Sequence, residues 1–189
     1  MVVLNRIATR SGDDGSSALA TGERRPKSDL RFEAIGTVDE LNAHVGLARV
    51  MSDALPAGVA EMLARIQNDL FDLGADLAVP EKPDERRRLR IGVAHVERLD
   101  QEMEALNADL PPLSSFVLPG GTPAAAALHL CRTVARRAER VLVALGAREP
   151  VNPEAIRFVN RVSDLFFVAA RVANDAGARD VLWVPGRNL

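Results

Sequence analysis

Between Pro56 and Pro80 the apolar residues fall on one stripe: Val59, Met62, Leu63, Ile66, Leu70, Leu73 and Leu77. Steps of three and four put all seven on one side of an α-helix, a pattern that a strand of period two does not accommodate. A helix with one apolar side must bury it against other elements, and the rest of the chain offers matching faces. Val38, Leu41, Val45 and Ala48 form a stripe within a helix from about residue 35. There Thr37-Val38-Asp39-Glu40 reads as a capping box, with Thr37 capping and Glu40 reaching back. Val93, Val96, Leu99, Met103, Leu106 and Leu110 form a third stripe that stops at Pro111-Pro112, as the second stops at Pro80 and Pro83.

A fourth helix is predicted to start at Thr122-Pro123, a cap followed by proline at the first helical position, and to end with Gly146 as its C-terminal cap. Leu128, Cys131, Ala135, Ala138, Leu142 and Leu145 supply its apolar side. The fifth starts at Asn152-Pro153 and runs through Ile156, Val159, Phe166, Ala170 and Ala173 to about Gly177. Five amphipathic helices with short connections predict an all-α fold, a five-helix antiparallel bundle. Aromatics are only 4% of the chain, so Leu, Val, Ile and Ala must build the core. No strand-rich segment or internal repeat competes.

At 189 residues the expectation is one domain, with residues 1–34 as an N-terminal loop segment and 35–189 as the bundle. The formal net charge of -2 gives no reason to expect nucleic acid, whose binders usually carry a basic excess. The lone Cys131 excludes an intrachain disulfide framework and a multi-cysteine zinc site. No segment approaches the roughly 18 apolar residues that would span a bilayer. Met1–Arg6 is too short an apolar stretch for a secretory signal. A cytoplasmic protein with no membrane partner is the expectation.

Two segments refuse the helical pattern, residues 1–34 and 111–122, and loops of unusual chemistry on a regular scaffold are where function concentrates. In the first, Gly12 and Gly15 let the backbone approach a ligand, Ser16 and Ser17 offer hydroxyls, and Lys27 brings a compact charge suited to phosphate. The Gly-Lys-Ser/Thr ending of a Walker loop is missing, and a flexible polar arm is an equal reading. In the second, Phe116 could plug the bundle end or wall a flat apolar ligand.

On the fourth helix Arg132, Arg136, Glu139 and Arg140 share one face. Guanidiniums one turn apart repel, and a triphosphate or the carboxylate of Asp39 would relieve them through arginine's planar fork. The plainer reading is a solvated face on which Glu139 pairs with Arg136. Asn160 sits beside the apolar sector of the fifth helix and must be satisfied by another helix or by a ligand. His44, His95 and His129 give no metal pattern, and no Ser/His/Asp or Cys/His grouping is visible. Arg86-Arg87-Arg88 reads as solvated surface.

Several of these motifs, in order, resemble the PduO-type ATP:cob(I)alamin adenosyltransferases. The resemblance is carried by Thr9-Arg10-Ser11-Gly12-Asp13-Asp14-Gly15, Thr21-Gly22-Glu23-Arg24-Arg25-Pro26-Lys27 and Gly36-Thr37-Val38-Asp39-Glu40-Leu41-Asn42. Further along it is carried by Cys131-Arg132, Arg136-Arg137-Ala138-Glu139-Arg140, Asn160-Arg161-Val162-Ser163-Asp164 and Asp180-Val181-Leu182-Trp183.

The resemblance implies transfer of the 5′-deoxyadenosyl group of ATP to Co(I) of cobalamin, giving adenosylcobalamin and inorganic triphosphate. It implies a homotrimer with ATP between adjacent subunits. Thr9, Arg10, Ser11, Gly12, Ser17, Ala18 and Lys27 would wrap the nucleotide, with Arg136, Arg137, Ala138, Glu139, Arg140 and Asn160 as further contacts. Where the family often has Thr, this chain has Ser16-Ser17 followed by Ala18, which offers only its backbone. Asp39 and Arg132 would pair to organise the site, and Phe116 would wall the lower face of the corrin. Mg²⁺ would arrive with ATP, with no protein ligand assigned. A reductase and an adenosylcobalamin-dependent client enzyme are the further partners implied. Reduced Co(I) is itself the nucleophile, so the absence of a protein nucleophile fits this chemistry.

Overall fold

Asp29, not Thr37, caps the first helix. Its carboxylate accepts from the Arg31 amide at 2.8 Å, and α1 runs Leu30–Arg49, starting five residues before the predicted point. Thr37 lies inside α1, where its hydroxyl donates to the Glu33 carbonyl at 2.8 Å. The predicted capping box is therefore not formed. The structure, a computed structural model, describes residues 8–51, 55–81 and 88–188. Met1–Arg6, Pro83 and Arg86-Arg87 lie outside the described residues, while Arg88 is exposed.

The remaining helices are α2 Val59–Leu77, α3 Val93–Asn107, α4 Pro123–Gly146 and α5 Pro153–Ala173. The proline-led starts are as the sequence predicts. Thr122 accepts from the Ala125 amide at 3.1 Å, and Asn152 accepts from the Glu154 amide at 3.1 Å. The predicted ends are less accurate. Gly146 is the last helical residue of α4, and Ala147 follows it in right-handed geometry, so no left-handed glycine cap is used. The fifth helix stops at Ala173, short of Gly177. Asp175 and Ala176 then turn with positive φ, and the Gly177 amide donates back to the Arg171 carbonyl at 2.8 Å.

The apolar stripe of α2 is buried along its length, from Val59 to Leu77. All five helices contribute to one core, in which Phe158 and Phe166 are the large aromatic members. The α1 helix packs on α2 and α4, α4 packs on α5, and α3 lies against α5. Two ion pairs fix the α1–α4 register: Arg31 with Glu149 just beyond α4 at 3.0 Å, and Glu40 with Arg137. The numbers rise along α1 as they fall along α4, so the two helices run antiparallel.

Strands are present that the sequence does not announce. β1 Ser16–Ala18 pairs antiparallel with β2 Arg24–Pro26, making the N-terminal segment a hairpin. β3 Val117–Leu118 pairs antiparallel with β4 Val181–Leu182, joining loop 111–122 to the C-terminal segment. Both ladders lie outside the helices, and each carries part of the candidate site.

Candidate functional site

The 111–122 loop and the C-terminal segment enclose a cavity of about 600 Å³, within the range of small-molecule sites. Leu113, Phe116, Val117, Phe167 and Trp183 line it, with Arg132 as its one charged group. Phe116 is 77% exposed and so does not plug the bundle end. Its ring lies 6.0 Å from that of Trp183, tilted by 57°. The two walls are also tied by hydrogen bonds, one between backbones and one from a side chain. The Trp183 amide donates to the Phe116 carbonyl at 2.8 Å, and Ser115 Oγ donates to the Trp183 carbonyl at 2.7 Å. The result is an open apolar clamp suited to a flat, largely apolar ligand.

Arg132 enters this cavity from α4. Its Nε is buried without a hydrogen-bond partner, and burial, followed by the nearby charge of Arg136, disfavours its protonated form. One turn before it lies His129, 1% exposed, with neither ring nitrogen bonded. Burial, then the charge of Arg132, pushes that imidazole below its usual range, while Asp180 opposes the shift. Neighbouring Cys131 is buried in the core, which raises its thiol to about 12 and leaves it unreactive at neutral pH.

The structure does not pair Asp39 with Arg132 within one chain. Asp39 is exposed and lines a different cleft, between α1 and α2, with Asn42, Leu70 and Phe71. By the α1–α4 register, Arg132 lies opposite the turn around Val45, about 10 Å along the axis at 1.5 Å per residue. Neither residue has an ion-pair partner among the described residues.

Further along α4, Arg136 is exposed and also has no carboxylate partner among the described residues. Arg140 reaches back to the Arg136 carbonyl at 3.1 Å, and Arg137 is taken by Glu40. Glu139 does not pair with Arg136. It accepts from Asn160 Nδ2 at 2.9 Å, while Asn160 Oδ1 accepts from Arg161 at 2.7 Å. Asn160 is therefore satisfied by Glu139 of α4 and by Arg161 of its own helix, and Ala138 lies buried beneath this face.

The N-terminal candidates sit on the hairpin and the turn before it. A Cβ at Gly12 would lie 2.9 Å from Lys27 Nζ and 3.2 Å from the Ser16 carbonyl oxygen, so glycine allows this approach. The Lys27 amide donates to the Gly15 carbonyl at 2.8 Å, which places Lys27 beside the turn. Thr9 Oγ1 and Ser11 Oγ lie 2.9 Å apart, and Arg10 adopts a positive φ of 60°. Arg24, to which the sequence gives no role, binds the Ser11 carbonyl at 2.7 Å as well as the Ser16 hydroxyl. Asp14 is held below the usual carboxylate range by the Ser16 amide, then by the Ser16 hydroxyl, and further by Arg24. Ser17 and Ala18 lie in β1 opposite Arg25 and Arg24. Among the described residues, no hydrogen bond or ion pair joins residues 9–27 to Arg132 through Arg140.

One cluster has metal-like spacing: Asp69, Asp72 and His95. Its chemistry does not fit a cation. His95 Nδ1 is already engaged, accepting from the Gly92 amide at 3.1 Å, and Asp69 is taken by Arg98. These residues lie on α2 and α3, which carry none of the candidate site residues.

The sequence points to Phe116 but gives no role to Trp183, Phe167 or His129. Trp183 is the only tryptophan, and its place at the end of the Asp180-Val181-Leu182-Trp183 motif was the available signal.

A family model described as cobalamin adenosyltransferase matches residues 7–173. A cobalamin adenosyltransferase of Cupriavidus metallidurans is 49% identical over 181 residues, covering 95% of each chain. A corrinoid adenosyltransferase of Mycobacterium leprae is 44% identical, covering 97% of each. Among solved structures, a phenylalanine-to-histidine variant of a PduO-type ATP:corrinoid adenosyltransferase from Lactobacillus reuteri, complexed with cobalamin and ATP, is similar with a TM-score of 0.87. Its identity is 37%, over 97% of each chain. An aromatic clamp beside a row of arginines, on a five-helix bundle matched along nearly its whole length, identifies the chain as a member of the cobalamin adenosyltransferase family.

Proposed function

We propose how this chain divides the work of moving the 5′-deoxyadenosyl group from ATP to cobalamin. Co(I) supplies the electron pair that forms the new cobalt–carbon bond to the ribose 5′ carbon. The carbon–oxygen bond breaks, and its electron pair leaves with inorganic triphosphate. The protein need supply neither nucleophile nor general base. Its task is to align the two reactants and to stabilise charge on the leaving group.

The observation that carries this reading is the pairing of an apolar clamp with cations that lack acid partners among the described residues. Phe116 walls the lower face of the corrin, and Lys27, Arg136 and Arg140 meet the triphosphate. Thr9, Arg10, Ser11, Gly12, Ser17 and Ala18 wrap the nucleotide, the last through its backbone alone. Arg137, Ala138, Glu139 and Asn160 complete its surround, with the Glu139–Asn160 bond holding α4 to α5. Mg²⁺ travels with the phosphate oxygens, and no residue of this chain is assigned to it.

The hairpin and the arginine row do not meet within one chain, nor do Asp39 and Arg132. A homotrimer with ATP between adjacent subunits accounts for both separations, because the α1–α2 cleft of one copy would deliver Asp39 to Arg132 of the next. That contact would answer the orphaned Arg132 Nε region with an acid. Sedimentation as three copies is the expected result, lost in a D39R variant.

The same reading takes a reductase as the source of Co(I), an adenosylcobalamin-dependent enzyme as the consumer, and the cytoplasm as the location. Among the described residues no helix is long and apolar enough to cross a membrane. The deciding experiment is an anaerobic assay with chemically reduced cobalamin, ATP and Mg²⁺, following the corrinoid spectrum and triphosphate together. Equal yields of adenosylcobalamin and triphosphate over many turnovers are expected. Binding of both substrates without turnover would instead make the chain a delivery protein.

A further inference from the structure

The two aromatic walls of the cavity stand on segments with little structure of their own. β3 and β4 contribute two residues each, too few to hold a wall in place unaided. What fixes them lies behind the cavity, where α5 ends. The Asp180 side chain is 3% exposed and accepts from Arg171 Nε at 2.9 Å and from Asn174 Nδ2 at 3.0 Å. Both donors reach onward to the loop. Arg171 Nη2 donates to the Pro111 carbonyl at 2.8 Å, at the loop's start. Asn174 Nδ2 donates to the Gly120 carbonyl at 3.2 Å, and its Oδ1 accepts from the Thr122 amide at 2.9 Å, at the loop's end.

Gly121 shows how closely this contact is built. Its φ is +96°, and a Cβ there would lie 2.1 Å from Asn174 Oδ1. Asp180 therefore ties down both ends of the loop that carries Phe116. It also begins the segment that presents Trp183 three residues later. None of Arg171, Asn174 and Asp180 lines the cavity.

We propose that Asp180 is a positioning residue for the corrinoid, setting the spacing of Phe116 and Trp183 over Arg132 through Arg171 and Asn174. The inference rests on the corrinoid reading of this cavity. The carboxylate is needed rather than its shape alone. An amide in its place would turn one acceptor into a donor and leave Arg171 buried without its counter-charge. Of the nucleotide candidates only Asn160 shares an element with this network, and it lies eleven residues, about three turns, before Arg171 on α5, so the loss should fall on the corrinoid side.

Trp183, the single tryptophan, makes the wall directly observable. Corrin absorption overlaps tryptophan emission, so titrating cob(II)alamin against Trp183 fluorescence in the presence of ATP reads occupancy without turnover. Quenching is expected in the wild type. In Asp180→Asn the emission should shift to the red, and the cob(II)alamin Kd should rise about ten-fold or more, with the ATP Kd changing by less than about two-fold. Asn174→Ala leaves the Arg171–Asp180 pair in place and should show the same selective pattern, smaller in size. It decides the matter if Asp180→Asn does not fold. An unchanged cob(II)alamin Kd in the folded variants, or equal weakening of both ligands, would overturn the role. A wild type that cob(II)alamin does not quench would overturn the corrinoid reading itself, and the positioning role with it.

Discussion

The Arg25 guanidinium lies fork-on against the Glu149 carboxylate, with bonds of 2.9 and 3.3 Å joining the N-terminal hairpin to the end of α4. Glu149 also accepts from Arg31 Nε at 3.0 Å, and Arg31, 2% exposed, donates to the Leu77 carbonyl at 2.8 Å. Burial pushes the Glu149 carboxyl up, and the Arg25 and Arg31 bonds and charges outweigh it, leaving the net shift downward. One carboxylate thus docks the hairpin on a buried arginine that belongs to the core.

Arg25→Met should loosen the β2 strand of the hairpin at this tether while keeping the Arg31–Glu149 pair. Leu19 stays buried, and the Ala20 amide still donates to the Ala78 carbonyl at 3.0 Å, so the bundle should fold. A hydrogen bond to a charged group is worth about 1.5–3 kcal/mol, so KM for ATP should rise about ten-fold or more. KM for the corrinoid should stay put. Steady-state kinetics varying each substrate would check this, and an unchanged KM for ATP would show that the hairpin does not depend on the tether.

Arg136 carries a different expectation, because it has no acid partner among the described residues and on the proposed reading would meet charge as triphosphate departs. Removing one such donor typically costs about 2.7–4 kcal/mol, so Arg136→Ala should lower kcat by about 10²–10³. Arg136→Lys keeps the charge but loses the planar fork and should fall between the two. A rise in KM for ATP with kcat preserved would make Arg136 a ground-state contact only.

On the proposed reading Phe116 would bear on the cobalt: its exposed ring would exclude water or the lower ligand, favouring the four-coordinate state that reduces more easily. Phe116→Ala should slow adenosylation from Co(II) substrate far more than it weakens ATP binding. Equal effects on the two would remove the ring from that role.

The helices were legible because burial imposes a period: the stripe from Val59 to Leu77 and the starts at Thr122 and Asn152 match the structure. The start of α1 was not. Thr37 and Glu40 carry the capping spacing, but the helix continues eight residues upstream through Arg31, a polar residue buried by a partner 118 positions away. No local pattern contains that pairing. The two short ladders escaped for the same reason, since Val117 meets Leu182 across the whole of α4 and α5. The candidate site residues could be picked out as types, such as the arginine row and Phe116, while their separations could not. That Asp39 and Arg132 lie on different clefts follows from the α1–α4 register, which the sequence leaves open.

His129 yields a prediction about acid stability. Its ring is buried without a hydrogen bond, and burial followed by Arg132 lowers its pKa, with Asp180 opposing. The unfolded chain titrates this imidazole near the ordinary value of about 6.5. Below that pH the unfolded state binds a proton that the folded state refuses, so stability rises with pH across this window. The full contribution is present above about 6.5 and is lost as pH falls toward the depressed folded value, at a slope of at most about 1.4 kcal/mol per pH unit. His129→Leu removes the titrating group and an unsatisfied polar ring together. Urea unfolding from pH 7.5 to 5.5 should therefore show a declining midpoint in the wild type and a flatter one in the variant. His44 and His95 are common to both proteins and cancel in the difference. Parallel curves would place the acid sensitivity of the bundle somewhere other than His129.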